Sequence, residues 1–482
     1  MMLLFTCALT ERAREPAQRS KNNFFILVRF FKIEISGKDK HYEATNRVVQ
    51  DFFLKYEGDF RRYGKTGVRR NGKNRHFFRY RDVTFAASSS TEHSMLPEFD
   101  NTGIAFQYRS DKELKRARFL FSSMGSPALT SIGMKLTGWA ISWKLPVQGL
   151  IKSTLFDQFC GGENMTEAAH TADVIGKYGV RTILDYGVEG KESEAEFDRA
   201  VPEFVKAINY AATNKNIPFI SLKVTGFARF ALLEKIHSGA TLNDSEKAEW
   251  KRIADRIDFI CKAAHDKGIM VLVDAEESWI QQPVDDVTDE MMSRYNRERV
   301  IVFNTFQLYR HDRLVFLEQS YEKAKKSGYL LGAKLVRGAY MEKERTRAAE
   351  KGYPSPIQPD KASTDKDYDG AVHFCLQHLD GLAVFIGTHN EASCLKAAQY
   401  MTDQNIPAST NRVYFSQLFG MSDNISFNLA HEGYHVAKYL PYGPVKDVLP
   451  YLMRRAQENT SVAGQTGREL SLINKEMARR GI

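Results

Sequence analysis

The chain has no long apolar run. Nowhere does it approach the about 18 uninterrupted apolar residues that a membrane helix needs. Met1–Leu9 is too short, and the apolar segment from Phe119 to Ile151 is broken by Pro127, Lys135, Lys144 and Pro146. Cysteine is scarce as well: Cys7, Cys160, Cys261, Cys375 and Cys394 are an odd number, far apart, with no CxxC pair. That excludes a disulfide framework and a zinc knuckle and suits a reducing compartment, with the cysteines as small buried apolar residues. A glycine-rich GxGxxG after the first apolar strand is also missing, which argues against a dinucleotide-binding Rossmann domain.

Acidic residues fall short only at one end. The formal net charge is +9, yet the first 85 residues hold 19 Lys/Arg against 9 Asp/Glu, leaving 49 against 50 in the remainder. A reader of DNA or RNA carries its basic excess on the folded body. Nucleic acid is therefore not an expected partner.

Residues 1–94 are rich in Arg, Lys and Phe without an amphipathic period, and run through the basic stretch Arg61–Arg81 into the Ser-rich Ala86–Thr91. A targeting peptide is Arg- and Ser-rich but poor in acids. Glu11, Glu15, Glu34, Asp39, Glu43, Asp51, Glu57 and Asp59 spoil that fit. The segment reads as a disordered basic extension, a targeting segment, or residues upstream of a start at Met95. A helical arm is expected over 95–165.

From residue 166 a regular alternation begins and continues to the C-terminus. Short apolar strands are predicted at Val180–Tyr186, Pro218–Thr225, Ile269–Ala275, Val300–Phe306, Leu330–Val336, Ala383–Thr388, Arg412–Leu418 and Val436–Leu440. Each follows a helical pattern, and a last helix is predicted over Val445–Asn459. Alternating strands and helices imply right-handed parallel crossovers. Eight of them match a (β/α)8 barrel of the TIM type better than an open sheet, and the near-continuous apolar strands suit burial on both faces.

In such a barrel the polar residues that end the strands line the active site. Here they are Lys223; Asp274 and Glu276; Asn304 and Gln307; Lys334 and Arg337; Thr388, His389 and Asn390; and Tyr439 and Tyr442. So many polar groups in one mouth are costly to bury without a ligand. On the last helix, Arg454 and Glu458 are four apart and Arg455 and Glu458 three apart, so they share a flank. The short link Pro441–Pro444 keeps that helix near the mouth, where adjacent arginines can fork onto a carboxylate in a way that lysine cannot. His431-Glu-Gly-Tyr-His435 has the HExxH form of zinc proteases. A glycine interrupts it and the second histidine leads into a strand, so no metal is expected.

The motifs DAE (274–276), KLVRGAY (334–340), THN (388–390), YLPYGP (439–444) and YLMRRAQEN (451–459) together resemble the proline dehydrogenase family, in chain order from about Met95 to Gly467. The resemblance implies a distorted barrel holding FAD. It also implies oxidation of L-proline to Δ1-pyrroline-5-carboxylate, electrons passed to a quinone at a membrane surface, and a separate pyrroline-5-carboxylate dehydrogenase for the next step. By the same resemblance Arg454, Arg455 and Lys223 bind the proline carboxylate, steadied by Glu458. Asp274 and Lys334 are catalytic, with Lys334 by the flavin where many bacterial members have arginine. Leu418 and Tyr439 wall the proline ring. Ala275, Asn304, Arg337, Gly338, Ala339, Tyr340, Thr388 and His389 line the FAD, Asn304 standing for a flavin-contacting glutamine of bacterial members.

Hydroxyproline dehydrogenases are similar, but typically carry a smaller serine where Tyr439 stands. A metal-dependent hydrolase using Asp274, His389 and His435, and an aldolase using Lys223, are the readings from other classes. The poor targeting fit and the missing calcium-loop insert of some animal members point to a bacterial protein starting near Met95, in the cytoplasm and peripheral on the inner membrane. The matrix face of the mitochondrial inner membrane is the alternative.

Overall fold

A computed structural model describes residues 96–124, 152–186, 192–461 and 465–482, without the side chains of 456–461 and 465. The basic segment 1–94 and most of the apolar stretch 119–151 lie outside the described residues.

Eight parallel strands close into one barrel in sequence order. They are β1 Val180–Tyr186, β2 Phe219–Leu222, β3 Met270–Val273, β4 Val302–Gln307, β5 Leu331–Val336, β6 Leu382–Gly387, β7 Val413–Leu418 and β8 Val436–Tyr442. Closure comes from β8 lying along the whole of β1, from Val180 against Val436 to Tyr186 against Tyr442. The fold is the expected one, and strand positions agree to within a few residues. The largest difference is at β2. There a 3-10 turn over Val224–Gly226 ends the strand at Leu222, so Lys223 stands just past the strand end.

Period-two alternation sends one face of each strand inward. The barrel interior is filled by Phe219, Phe303, Phe385 and Tyr414 with Ile183, Leu272 and Ala437. Their rings meet edge-on or stacked at 4.8 to 5.2 Å, each phenylalanine contributing roughly 1.5–3 kcal/mol by burial. The floor below the mouth is thus an aromatic plug.

Helices cover the outside. The 24-residue helix Asp244–Lys267 shows why such a segment starts and stops where it does. Asn243 and Glu246 form a reciprocal capping box, and Gly268 closes the helix in the left-handed conformation, which a glycine adopts without steric cost. Helices at Phe230–His237 and Met341–Lys351 are additions to the expected alternation, and Lys361–Gln377 opens behind an Asp360 cap.

A second apolar cluster lies apart from the barrel–helix layer. It joins the helix Asp111–Met124, the segment Leu155–Cys160, Val445, Val448 and Leu452 of the helix Val445–Ser461, and Leu472, Ile473 and Met477 of a last helix, Gln465–Arg480. The helix after β8 therefore buries its apolar side against the arm and the chain's end. That arrangement carries Arg454 and Arg455 to the mouth. The helix Asp423–His431 ends at the first histidine of the HExxH string and Gly433 turns the chain at φ 82°. Its two histidines share no helix face.

Candidate active site

Four of the expected site residues converge at the strand ends. Lys334 of β5 donates from Nζ to Asp274 Oδ1 at 2.6 Å and to the Tyr439 hydroxyl at 2.7 Å. That hydroxyl donates in turn to Asp274 Oδ1 at 3.0 Å. Lys223 brings a second ammonium to Asp274 Oδ2 at 3.5 Å, and the Lys334 cation also lies 4.7 Å from the Tyr439 ring centre. Burial alone would raise the Asp274 pKa, but the two lysines and the tyrosine hydroxyl outweigh it and hold the carboxyl below its ordinary value. Burial beside that carboxylate pushes the Tyr439 phenol well above its ordinary range. The result is an ionised Asp274 under two cations and a protonated phenol.

A second tier stands above the first. Glu276 accepts from Thr225 Oγ1 at 2.6 Å and from the Thr225 backbone N–H at 3.3 Å. Thr225 is two residues past Lys223 and Glu276 two past Asp274, so this contact ties together the two chain segments that carry the Lys223–Asp274 pair. Burial lifts the Glu276 pKa to about 7, against the pull of Thr225 and Lys223. Gln307 completes the tier by donating from Nε2 to the Glu276 carbonyl at 2.7 Å.

Asn304 is a correction. Its amide donates to Asp285 Oδ1 at 2.9 Å, beside the Arg313–Asp285 ion pair, on the helix-facing side of β4. One residue of offset reverses the face of a strand. Phe303, Thr305 and Gln307 point inward, so Gln307 is the glutamine at the mouth of β4 and Asn304 cannot face a ligand there. The Gln307 side chain was visible in the sequence, but only the inward pointing of Phe303 settles the phase.

The remaining residues form a rim. Arg337 donates from Nη1 to Thr388 Oγ1 at 2.7 Å, from Nη2 to Ser393 Oγ at 3.0 Å and from Nε to Asp365 at 2.8 Å, with its guanidinium 4.2 Å from the Tyr368 ring centre. Gly338 has φ 132°, and a Cβ there would fall 2.5 Å from the Tyr309 ring, so only glycine fits. Gly338 and Ala339 are exposed, Tyr340 is half-buried, and Ala275 is buried beside Asp274. Tyr340 lies within electrostatic reach of Glu276, Lys223 and Arg454. Asn390 caps the helix Glu391–Asp403, which opens directly after Thr388 and His389.

His389 is half-buried, and loss of solvent around its ring, with Lys438 and Arg455 nearby, drops its pKa to about 3. Arg455 is itself buried, with its guanidinium 5.2 Å from the Tyr451 ring centre, and Arg454 is half-buried. Leu418 ends β7 in register with Tyr439. The Glu458 side chain lies outside the described residues.

The model of the proline dehydrogenase family matches residues 168–468. A carbapenem antibiotics biosynthesis protein of Pectobacterium carotovorum, CarD, is 34% identical over 334 residues, covering 69% of this chain and 86% of the relative. The mitochondrial proline dehydrogenase 1 of Dictyostelium discoideum is 32% identical, covering 70% of this chain and 66% of that one. A hydroxyproline dehydrogenase of Xenopus laevis is 30% identical, covering 79% of this chain and 90% of the relative. The solved structure of proline utilization A from Bdellovibrio bacteriovorus superimposes with a TM-score of 0.59 at 20% identity, covering 78% of this chain and 38% of that one, a likeness of fold. On the strength of the matched segment, this chain belongs to the proline dehydrogenase family.

Proposed function

We propose that the protein oxidises L-proline to Δ1-pyrroline-5-carboxylate with FAD, passing the electrons to a quinone at a membrane surface. The observation that carries the reading is the Lys223–Asp274–Lys334–Tyr439 cluster beneath a helix bearing Arg454 and Arg455. Lys223, Arg454 and Arg455, three cations around one mouth, suit an amino-acid carboxylate, and fixing it at several points places the carbon next to nitrogen for reaction.

The residues fit a flavin dinucleotide. Arg337 donates to Thr388 beside it, the Gly338–Ala339 backbone is exposed with no side chain beyond a methyl, and a capped helix opens at Asn390 toward the same rim. These groups, with Ala275, Tyr340 and His389, would hold it. The bound flavin would accept the hydride. The chain's own work is to orient the substrate, exclude water and keep cationic Lys334 where negative charge accumulates. Asp274 keeps Lys334 in place, and Tyr439 with Leu418 bounds the space for the ring.

Absorption spectroscopy tests the reading. Purified protein should be yellow, with flavin bands that bleach on addition of proline; a colourless, proline-inert protein would overturn it. The competing substrate is 4-hydroxyproline. Tyr439 argues against it, because a phenol bonded to both Lys334 and Asp274 fills space a ring hydroxyl would need. Comparable kcat/KM on the two substrates would reverse that choice.

Among the described residues no helix is long and apolar enough to cross a membrane. We place the enzyme peripherally, its product passing to a separate pyrroline-5-carboxylate dehydrogenase. The mitochondrial relative supports the mitochondrial alternative for its location.

A further inference from the structure

The family match ends at residue 468, yet a buried chain of contacts begins at 469. Glu469, on the last helix, accepts a hydrogen bond from the Ser422 backbone N–H. Ser422 is one of only two non-glycine residues with positive φ among the described residues, at 50°. Its hydroxyl lies 2.9 Å from His389 Nδ1. The other ring nitrogen, Nε2, faces the Leu418 backbone N–H at 3.4 Å. A backbone N–H can only donate, so Nε2 must accept and Nδ1 must carry the proton that goes to Ser422 Oγ. The two contacts together allow a single tautomer and a single ring orientation.

The surrounding groups lock this turn from every side. Lys438, with no exposed surface, donates to the Met421 carbonyl at 2.6 Å and the Leu418 carbonyl at 3.4 Å and pairs with Asp423 at 2.8 Å. Arg109 and Tyr108 of the N-terminal arm also meet Asp423, at 2.9 and 2.8 Å. Gln158 donates to the Gly420 carbonyl at 2.7 Å, where a Cβ on Gly420 would strike the Gln158 carbonyl oxygen at 2.0 Å. Arg109, Tyr108, Gln158 and Glu469 all lie outside the matched segment 168–468.

We infer that Glu469 and Ser422 are positioning residues of the active site, holding His389 as its Nδ1–H tautomer so that it braces Leu418 beside Tyr439 and sets no charge against Arg455. Glu469 orients Ser422, Ser422 orients His389, and His389 fixes the Leu418 backbone at the pocket wall. The low His389 pKa is consistent with this arrangement, since a charged ring would face both Arg455 and Lys438. The inference concerns the same site as the proline reading and rests on that reading for its kinetic consequence only.

The test uses the full-length, flavin-loaded enzyme. Ser422→Gly keeps the left-handed backbone, which glycine adopts freely, and deletes the hydroxyl. Glu469→Gln keeps an acceptor for the Ser422 N–H, whereas Glu469→Leu removes it. Loss of either hydrogen bond should raise KM for proline about fivefold. Ser422→Gly and Glu469→Leu should show this rise, Glu469→Gln should restore wild-type KM, and the double variant Ser422→Gly/Glu469→Leu should be no worse than either alone. Nitrogen-15 spectra of His389 supply a readout independent of activity, showing the Nδ1–H tautomer in wild type and in Glu469→Gln and tautomer exchange in the other two. A wild-type enzyme inert to proline would defeat the assigned reaction, and the imidazole spectra would still decide this inference. Unchanged tautomer and unchanged KM in Ser422→Gly and Glu469→Leu would overturn it, even if Glu469→Leu melted at lower temperature.

Discussion

Lys334 Nζ and Asp274 Oδ1 stand 2.6 Å apart at the ends of β5 and β3, and both touch the Tyr439 hydroxyl. A half-buried carboxylate held between two lysines and a tyrosine hydroxyl is a fixed electrostatic object. Lys334→Met removes the cation nearest the proposed flavin while leaving Lys223 to neutralise Asp274. Loss of one such preorganised donor costs about a hundredfold or more in rate. We expect kcat for proline to fall by that order with KM changed little, measured by rapid-mixing flavin reduction. A large KM increase at unchanged kcat would make Lys334 a binding residue.

Arg455 is the more buried of the two adjacent arginines on the helix after β8, and it lies close enough to His389 to depress its pKa. Replacement by lysine keeps one charge but loses the planar fork. Arg455→Lys should raise KM for proline about tenfold, equivalent to the about 1.4 kcal/mol expected for part of a bidentate contact, while flavin content stays at wild-type level. Unaltered kinetics would place both arginines in a purely structural role.

The register of β4 yields a paired test. Asn304→Ala removes a donor from Asp285, which retains Gln281 and Arg313. It should lower stability by about 1–2 kcal/mol with kinetics intact, read from denaturant melts alongside kcat/KM. Gln307→Ala loses the support of the Glu276 carbonyl and should depress kcat/KM with a smaller loss of stability. The reverse pattern would put Asn304, not Gln307, at the mouth.

The same strand shows where sequence reading holds and where it stops. Eight apolar runs bounded by polar ends report the barrel because each strand is buried on both faces, and Lys223, Asp274, Lys334 and Tyr439 are found because all end such runs. Burial on both faces also erases the alternation that would tell inward from outward, so Asn304 and Gln307 look equivalent until Phe303 fixes the phase. Glu469 and Arg109 were invisible for a different reason. Glu469 sits in an ordinary amphipathic helix and Arg109 in the bend before the helix Asp111–Met124, and only the packing of the arm against the last helix brings them to Ser422 and Asp423, more than 300 residues from the arm.

Glu276 and Glu469 make stability depend on pH in an unusual direction. Burial raises each carboxyl to about 7; Thr225 and Lys223 oppose it at Glu276, and Lys438 and Arg109 oppose it at Glu469, where Asp423 adds to it. A carboxyl whose folded pKa exceeds its unfolded value of 4.5 takes up a proton on folding. Its contribution is complete below the unfolded value and disappears as pH rises through about 7. Between pH 5.5 and 8 each should remove about 2 kcal/mol. The double variant Glu276→Gln/Glu469→Gln mimics the protonated forms and should lose this slope, leaving the other titrating groups common to both proteins. Asp274 works the opposite way: its depressed pKa stabilises the fold above the ordinary carboxyl range and is lost only in stronger acid. Denaturant melts of both holoenzymes at pH 5.5 and 8 give the difference directly. Parallel slopes in the two proteins would mean that both glutamates are ionised throughout and that their cationic neighbours outweigh burial.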